Sequence, residues 1–131
     1  MMVFSENYVF IRIFFKKKLR NFVSNLMFKP TTMSLIEVIQ SGNYELIDVR
    51  EPMELEMDGN IDGAKNIPLG EVEDRQEEIL SVEKPVILFC RSGNRSGKAL
   101  DYLNAQGLKD GYNGGGWAEL KATIEANQGT F

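Results

Sequence analysis

From residue 34 onward, short apolar segments alternate with longer stretches in which apolar residues recur at helical spacing. The segment Val86 to Phe89 is apolar throughout, which predicts a strand buried on both faces of a sheet. A second strand is predicted over Tyr44 to Val49. Ser34 and Glu37 have the spacing of a capping box, so a helix is expected to begin there and to end before Gly42.

Four more helices are predicted from the remaining polar stretches. They cover Pro52–Met57, Val72–Leu80, Lys98–Gln106 and Trp117–Asn127. Tyr112 is expected to close a short strand, and Gly114 to Gly116 to form a flexible turn. This alternation predicts an α/β domain with a mainly parallel central sheet and helices on both faces. Ligands of such sheets bind beyond the carboxyl ends of the strands, which is where Cys90 lies.

Charge divides the chain into two segments near residue 30. Residues 1–30 carry six basic side chains and one acidic side chain, and the rest carries nine basic and eighteen acidic ones, which gives the net charge of −4. We therefore predict a basic, aromatic extension over 1–30 and a folded domain over 31–131. The apolar run of the extension is too short to span a bilayer, and its lysines follow that run, unlike those of a secretory signal. A non-native or disordered extension is the favoured interpretation; membrane-surface contact and targeting are the alternatives.

The absence of histidine and the presence of a single cysteine, Cys90, limit the chemistry of the chain. They exclude an intrachain disulfide, a cysteine-based zinc cluster, histidine metal sites, a Ser-His-Asp triad and a Cys-His pair. A single thiol fits a reducing compartment, so a cytoplasmic location is expected. The acidic charge of residues 31–131 argues against a nucleic-acid partner.

The cysteine is followed by a polar loop whose residues can hold an anion. The loop comprises Arg91, Ser92, Gly93, Asn94, Arg95 and Ser96. Its N–H groups can turn toward the sulfur of Cys90, and the helix that follows adds the positive end of its dipole. The two arginines add positive charge, which lowers the pKa of a cysteine. We expect an ionised, accessible Cys90 beside a site for an anionic ligand; the alternative is a small buried core residue.

The stretch CRSGNRS at residues 90–96 resembles the active-site loop of the rhodanese family of sulfurtransferases. Asp48 to Glu51, Gly59 to Pro68 and Tyr112 to Trp117 resemble further elements of that family, in the family's order. The resemblance covers most of the chain outside residues 1–30 and implies the rhodanese-like three-layer fold. Asn60 stands where the family usually has histidine, and a structural role is expected for it.

The resemblance also implies a sulfurtransferase that works by double displacement, with ping-pong kinetics. Cys90 would take the outer sulfur of thiosulfate or another persulfide donor, become a persulfide, and pass that sulfur to a thiophilic acceptor. The acceptor can be cyanide, a thiol, thioredoxin or another protein. The loop residues would bind the substrate, with Arg91 and Arg95 holding the anionic end of the donor and Arg95 making a forked contact. No metal or organic cofactor is expected.

Other charged and aromatic residues near the strand ends are expected to be structural. We predict that Asp48 and Arg50 form a buried or half-buried pair that ties the strand ends to a neighbouring loop. Glu54 is expected to be a partner of Arg50, and Trp117 to lie in the core.

Two other classes of protein remain as alternatives. One is a rhodanese-like binding or regulatory module without catalysis, although such modules commonly lack the cysteine. The other is a cysteine-dependent phosphatase or arsenate reductase. Its pattern places the arginine six positions after the cysteine, where this chain has Ser96.

Overall fold

The computed structural model describes residues 33–128, so the expectations for residues 1–30 lie outside the described residues. The helices are α1 (Leu35–Ser41), α2 (Pro52–Asp58), α3 (Gln76–Leu80), α4 (Asn94–Ala105) and α5 (Trp117–Gln128), with a 3-10 turn over Leu69–Glu71. The strands are β1 (Glu45–Asp48), β2 (Lys65–Asn66), β3 (Val86–Cys90) and β4 (Gly111–Gly116).

The strands form one parallel sheet with the order β2-β1-β3-β4. β1 pairs with β3 so that Asp48 lies opposite Phe89, and β4 pairs on the other side so that Gly116 lies opposite Cys90. A register shift between β3 and β4 follows Leu88. The carboxyl ends of β1, β3 and β4 therefore meet at one edge of the sheet, and the predicted parallel arrangement is confirmed.

Successive side chains of β3 point to opposite faces of the sheet, so both faces are apolar. Helices cover both faces and bury these side chains in two hydrophobic clusters. One cluster includes α3 and α4 and consists of Ile47, Val49, Ile67, Val72, Ile79, Val86, Leu88, Cys90, Ala99 and Leu103. The other includes α1 and α5 and consists of Val38, Ile39, Leu46, Ile61, Ile87, Phe89, Leu120 and Ile124. This arrangement confirms the predicted three-layer α/β fold and places Cys90 on the α4 side.

The predicted limits of α1 are confirmed by the groups at its two ends. The Ser34 hydroxyl accepts the Glu37 N–H at 3.2 Å, and the Glu37 carboxylate accepts the Ser34 N–H at 2.8 Å. Gly42 ends the helix with φ +73°, a left-handed conformation that glycine adopts without a steric penalty.

Two predicted helix limits were wrong. The helix predicted from Val72 begins only at Gln76, because Val72 is buried at the end of the 3-10 turn. The helix predicted from Lys98 begins at Asn94, because Gly93, with φ +99°, turns the chain directly into it. The polar loop after β3 is therefore only three residues long, and Asn94 onward is helical.

The flexible turn predicted over Gly114 to Gly116 was also wrong, because all three glycines belong to β4. A Cβ on Gly114 would lie 2.8 Å from a methyl carbon of Ile87. A Cβ on Gly116 would lie 2.7 Å from the carbonyl oxygen of Arg91. These glycines allow close packing against β3 and the loop that follows it, rather than flexibility.

Candidate active site

β3 brings Cys90 to the carboxyl edge of the sheet, where the three-residue loop folds back over its sulfur. The Gly93 N–H donates to Sγ with an N···S distance of 3.0 Å. The Ser96 hydroxyl, which lies in the first turn of α4, is 3.5 Å from the same sulfur. The predicted cradle of inward-pointing donors is therefore present around Cys90, although its donors come from part of the loop only.

The surroundings of Cys90 favour the thiolate. Burial of the sulfur opposes ionisation, but hydrogen bonds from the Ser96 hydroxyl and from the N–H groups of Ser96, Ser92 and Gly93 outweigh it. Together they lower the pKa of Cys90 from 9.0 to about 7. The arginine charges, which we expected to contribute to this shift together with the N–H groups and the helix dipole, are not among its main causes.

Arg95 is held in a forked ion pair with a carboxylate of α2. Its two terminal nitrogens lie 2.7 and 2.9 Å from the carboxylate oxygens of Glu54. This contact holds the pKa of Glu54 at about 2 and raises that of Arg95. The forked contact predicted for a donor anion is thus occupied by Glu54, and the prediction that Glu54 would bond Arg50 was wrong.

Arg91 is also paired with α2, more loosely. Its guanidinium lies 3.6 Å from Asp58, and 69% of its side chain is exposed. Ser92 and Asn94 are exposed on the same rim of the loop. The structure therefore places the predicted ligand-binding residues in two groups: donors directed at the sulfur, and exposed or ion-paired side chains around them.

Asn113 of β4 links the loop to the sheet, and its role was missed from the sequence. Its side-chain N–H donates to the carbonyl oxygen of Gly93 at 3.0 Å. Its side-chain oxygen accepts from the Ser96 hydroxyl at 2.7 Å and from the Gly115 N–H at 3.0 Å. The sequence signal for this role was an asparagine directly before three glycines. The partners of its side chain became identifiable only once β4 was known to pair with β3 beside Cys90.

Asp48 and Arg50 form a buried ion pair beneath the same edge of the sheet. Nη2 of Arg50 lies 2.7 Å from Asp48 and donates to the carbonyl oxygen of Gly59 at 2.9 Å. The half-buried ring of Trp117 lies 4.9 Å from the guanidinium carbon, as in a cation–π contact. Nη1 of Arg50 is a buried atom with no acceptor among the described residues. This geometry supports a structural role for the pair, because it ties β1 to the chain after α2.

Comparison with known proteins identifies the family. The model of the rhodanese-like domain family matches residues 31–123, which is most of the chain. The chain belongs to the rhodanese-like family. This membership, together with the fold described above, confirms the resemblance seen in the sequence.

Relatives of this rhodanese-like domain include sulfurtransferases. Uncharacterized protein YqhL of Bacillus subtilis is 44% identical over 85 residues, which cover 64% of this chain and 66% of that protein. Thiosulfate sulfurtransferase PspE of Escherichia coli is 32% identical over 98 residues, which cover 72% of this chain and 93% of PspE. The solved structure of the human single-domain sulfurtransferase TSTD1 is 31% identical, with a TM-score of 0.52 over 67% of this chain and 92% of that one. The chain thus spans just under two thirds of YqhL.

The thiol of the rhodanese-like domain is nearly closed off from solvent. Cys90 is only 1% exposed and packs within the α4-side cluster. This burial by itself agrees with the alternative that Cys90 is a small core residue, whereas its hydrogen bonds are those of a thiolate site. Accessibility, which we expected, is not present in this conformation, so a donor can reach the sulfur only if the loop or the side chains around it move.

The remaining features of the domain lie away from this edge. A cavity of about 360 Å³ lies at the opposite end of β3, lined by residues such as Lys84 and Leu108. Within residues 33–128, no group of three or more Cys, Asp or Glu side chains is placed to bind a metal ion. In the same part of the chain, none of the helices combines the length and hydrophobicity needed to cross a bilayer.

Proposed function

We propose that this rhodanese-like domain is a sulfurtransferase that carries a sulfane sulfur as a persulfide on Cys90. The observation that carries the proposal is the ring of N–H and hydroxyl donors around Sγ, which lowers the pKa of the thiol to about 7. About half of the thiol is then ionised at pH 7, which a nucleophilic cysteine requires. Two sulfurtransferases at 31–32% identity add support from the family.

The reaction proceeds in two displacements on one sulfur. The Cys90 thiolate attacks the outer sulfur of the donor, the donor S–S bond breaks, and its electron pair leaves on sulfite or on a thiolate. Cys90 then holds the sulfur as a persulfide, whose terminal atom the N–H groups of the loop can stabilise. A thiolate acceptor, from a small thiol, thioredoxin or another protein, attacks that terminal sulfur and regenerates the Cys90 thiolate.

The remaining residues of the loop have supporting roles in this proposal. Gly93 and Ser96 hold the negative charge on sulfur, and Asn113 keeps them in place through the bonds described above. Arg91 and Arg95 contact the anionic part of a donor when they exchange their carboxylate partners for it. The single free thiol fits a reducing cytoplasm, where thiol acceptors are available.

A phosphatase is less well supported by the same geometry. The sixth position after Cys90 is occupied by Ser96, which is fully buried and hydrogen-bonded to Asn113. The guanidinium of Arg95, one position earlier, is already held in a forked ion pair by Glu54. A phosphatase of that pattern needs a forked cation at the sixth position to hold the phosphate oxygens, and this chain has a serine there.

The test is the intact mass of the protein after incubation with thiosulfate and, separately, with cysteine persulfide. We expect a gain equal to one sulfur atom, reversed by cyanide and absent from Cys90→Ser. Because Cys90 is the single cysteine, any persulfide must be at that residue. An unchanged mass with both donors would refute the proposal and favour a non-catalytic module, and hydrolysis of an aryl phosphate would favour a phosphatase.

A further inference from the structure

Both arginines of the active-site loop are paired with carboxylates of the same helix. Glu54 and Asp58 are four residues apart on α2, so both side chains project from one face of it. Glu54 bonds Arg95 at 2.7 and 2.9 Å, and Asp58 lies 3.6 Å from Arg91. The two arginine charges are therefore balanced by the two carboxylate charges, and the site has no net charge from these four side chains. From the loop sequence alone, a net charge of +2 would be expected.

Glu54 is held in its position independently of Arg95. Its carboxylate also accepts the N–H of Glu51 at 3.0 Å, as the return bond of the capping box that begins α2. The Arg95 contact keeps the Glu54 pKa near 2, so the carboxylate is ionised throughout the physiological range. The Glu54 carboxylate therefore already occupies both terminal nitrogens of Arg95. A donor anion that binds Arg95 must displace this carboxylate or bind close to its negative charge.

We propose that Glu54 and Asp58 are specificity-determining residues that select a persulfide donor over thiosulfate. The inference rests on the proposed sulfur transfer and names its donor class. Thiosulfate is a dianion, so it must displace a carboxylate from Arg95 or bind beside two carboxylates, and like charges at this distance repel. A persulfide carries at most one negative charge on its two sulfur atoms and none when it reacts as R–S–S–H, so the carboxylates repel it less than they repel thiosulfate.

The burial of Cys90 favours the same donor class. Cys90 is 1% exposed beneath the loop, so the opening needed to reach its sulfur must be made by displacing the loop or the side chains around it. The reacting end of a persulfide is a slender S–S unit on a chain, whereas thiosulfate brings a tetrahedral sulfonate against the reacting sulfur. The opening that these displacements must create is therefore smaller for a persulfide than for thiosulfate.

The chemical step for this donor balances without a further reactant. The Cys90 thiolate attacks the outer sulfur of R–S–S–H, a new S–S bond forms, and the S–S bond of the donor breaks. The electron pair leaves on R–S⁻, and the proton stays on the transferred sulfur. The products are the Cys90 persulfide and the free thiolate R–S⁻, and no external oxidant or reductant is needed.

Single-turnover persulfidation of the full chain over a range of donor concentrations tests the proposal, with thiosulfate and cysteine persulfide as the two donors. Here kcat is the maximal rate of Cys90 persulfidation, and KM is the donor concentration at half that rate. We expect the parent to react with cysteine persulfide at the higher kcat/KM. Glu54→Gln keeps the capping bond but removes the charge, and should raise kcat/KM for thiosulfate about fivefold, mainly through KM. The gain should shrink at high salt, and the rate with cysteine persulfide should change by less than about twofold. Asp58→Asn should act in the same direction.

Glu71→Gln is the matched control, because Glu71 is an exposed carboxylate that pairs with Arg75 rather than with an arginine of the loop. It should leave both donor rates at parental values. The proposal is overturned if the parent prefers thiosulfate, or if Glu54→Gln and Asp58→Asn change both donors by the same factor; sulfur transfer itself would then still stand. If neither donor adds sulfur to Cys90, the proposed function fails, and the donor preference fails with it.

Discussion

The hydroxyl of Ser96 is the side-chain donor on which the reactivity of Cys90 most depends, and Ser96→Ala removes it. Ser96 is fully buried, with Oγ 3.5 Å from the Cys90 sulfur and 2.7 Å from the Asn113 side-chain oxygen. The variant keeps the backbone N–H groups around the sulfur. It also leaves the Asn113 oxygen its bond from the Gly115 N–H, so no buried acceptor loses all of its partners.

The expected rise in the pKa of Cys90 is limited because the Ser96 hydroxyl has one hydrogen for two acceptors. A hydrogen bond to a charged group contributes about 1.5–3 kcal/mol, but the Ser96 hydroxyl divides its hydrogen between two acceptors. We therefore expect the low end of that range, a rise of about one unit in the pKa of Cys90. At pH 7 the ionised fraction would fall from about one half to about one tenth, and the persulfidation rate about fivefold. Above pH 9 both proteins are ionised, so the difference should disappear.

Titration of the thiolate by its ultraviolet absorbance measures this pKa directly, with Cys90→Ser subtracted to remove tyrosine ionisation. The same variants are then compared in single-turnover persulfidation at pH 7 and above pH 9. Ser92→Ala is the control for the titration, because Ser92 contributes its backbone N–H rather than its hydroxyl. An unchanged midpoint in Ser96→Ala would refute the reasoning, since the backbone donors alone would then account for the acidity of Cys90.

Three further predictions concern packing and charge. Gly116→Ala places a methyl group against the loop carbonyl at 2.7 Å and should cost about 1–3 kcal/mol in urea unfolding, whereas Gly70→Ala, with open space around it, should not. Arg50→Met leaves a buried carboxylate unpaired and should cost about 3–5 kcal/mol, against less than about 1 kcal/mol for the exposed ion pair broken by Lys65→Met. The lowered pKa of Glu54 stabilises the fold above about pH 4.5 and ceases to do so as the pH falls toward 2, so the unfolding free energies of the parent and Glu54→Gln should converge in acid. Parallel curves over that range would contradict the assignment of the ion pair.

Local patterns determined the parts of this protein that depend on neighbours in sequence. The capping box at Ser34 and the left-handed Gly42 were predictable because their partners lie within a few residues. The run from Val86 predicted a central buried strand, because only a strand covered on both faces accommodates apolar side chains on both. The order of residues 90–96 indicated a thiolate cradle, since a short turn brings consecutive N–H groups near the preceding side chain.

Contacts between distant segments could be decided only by the tertiary structure. Glu54 is four residues from Arg50 yet bonds Arg95, 41 positions away, because the fold brings this side chain of α2 beside the first turn of α4. Asn113 became part of the site only when β4 paired beside Cys90. The net charge seen by a donor, the burial of the thiol and the role of the glycine triplet all depend on which surfaces meet in space. The periodicity of apolar residues along the chain does not predict these contacts, because they depend on how the packed helices and strands are placed relative to one another.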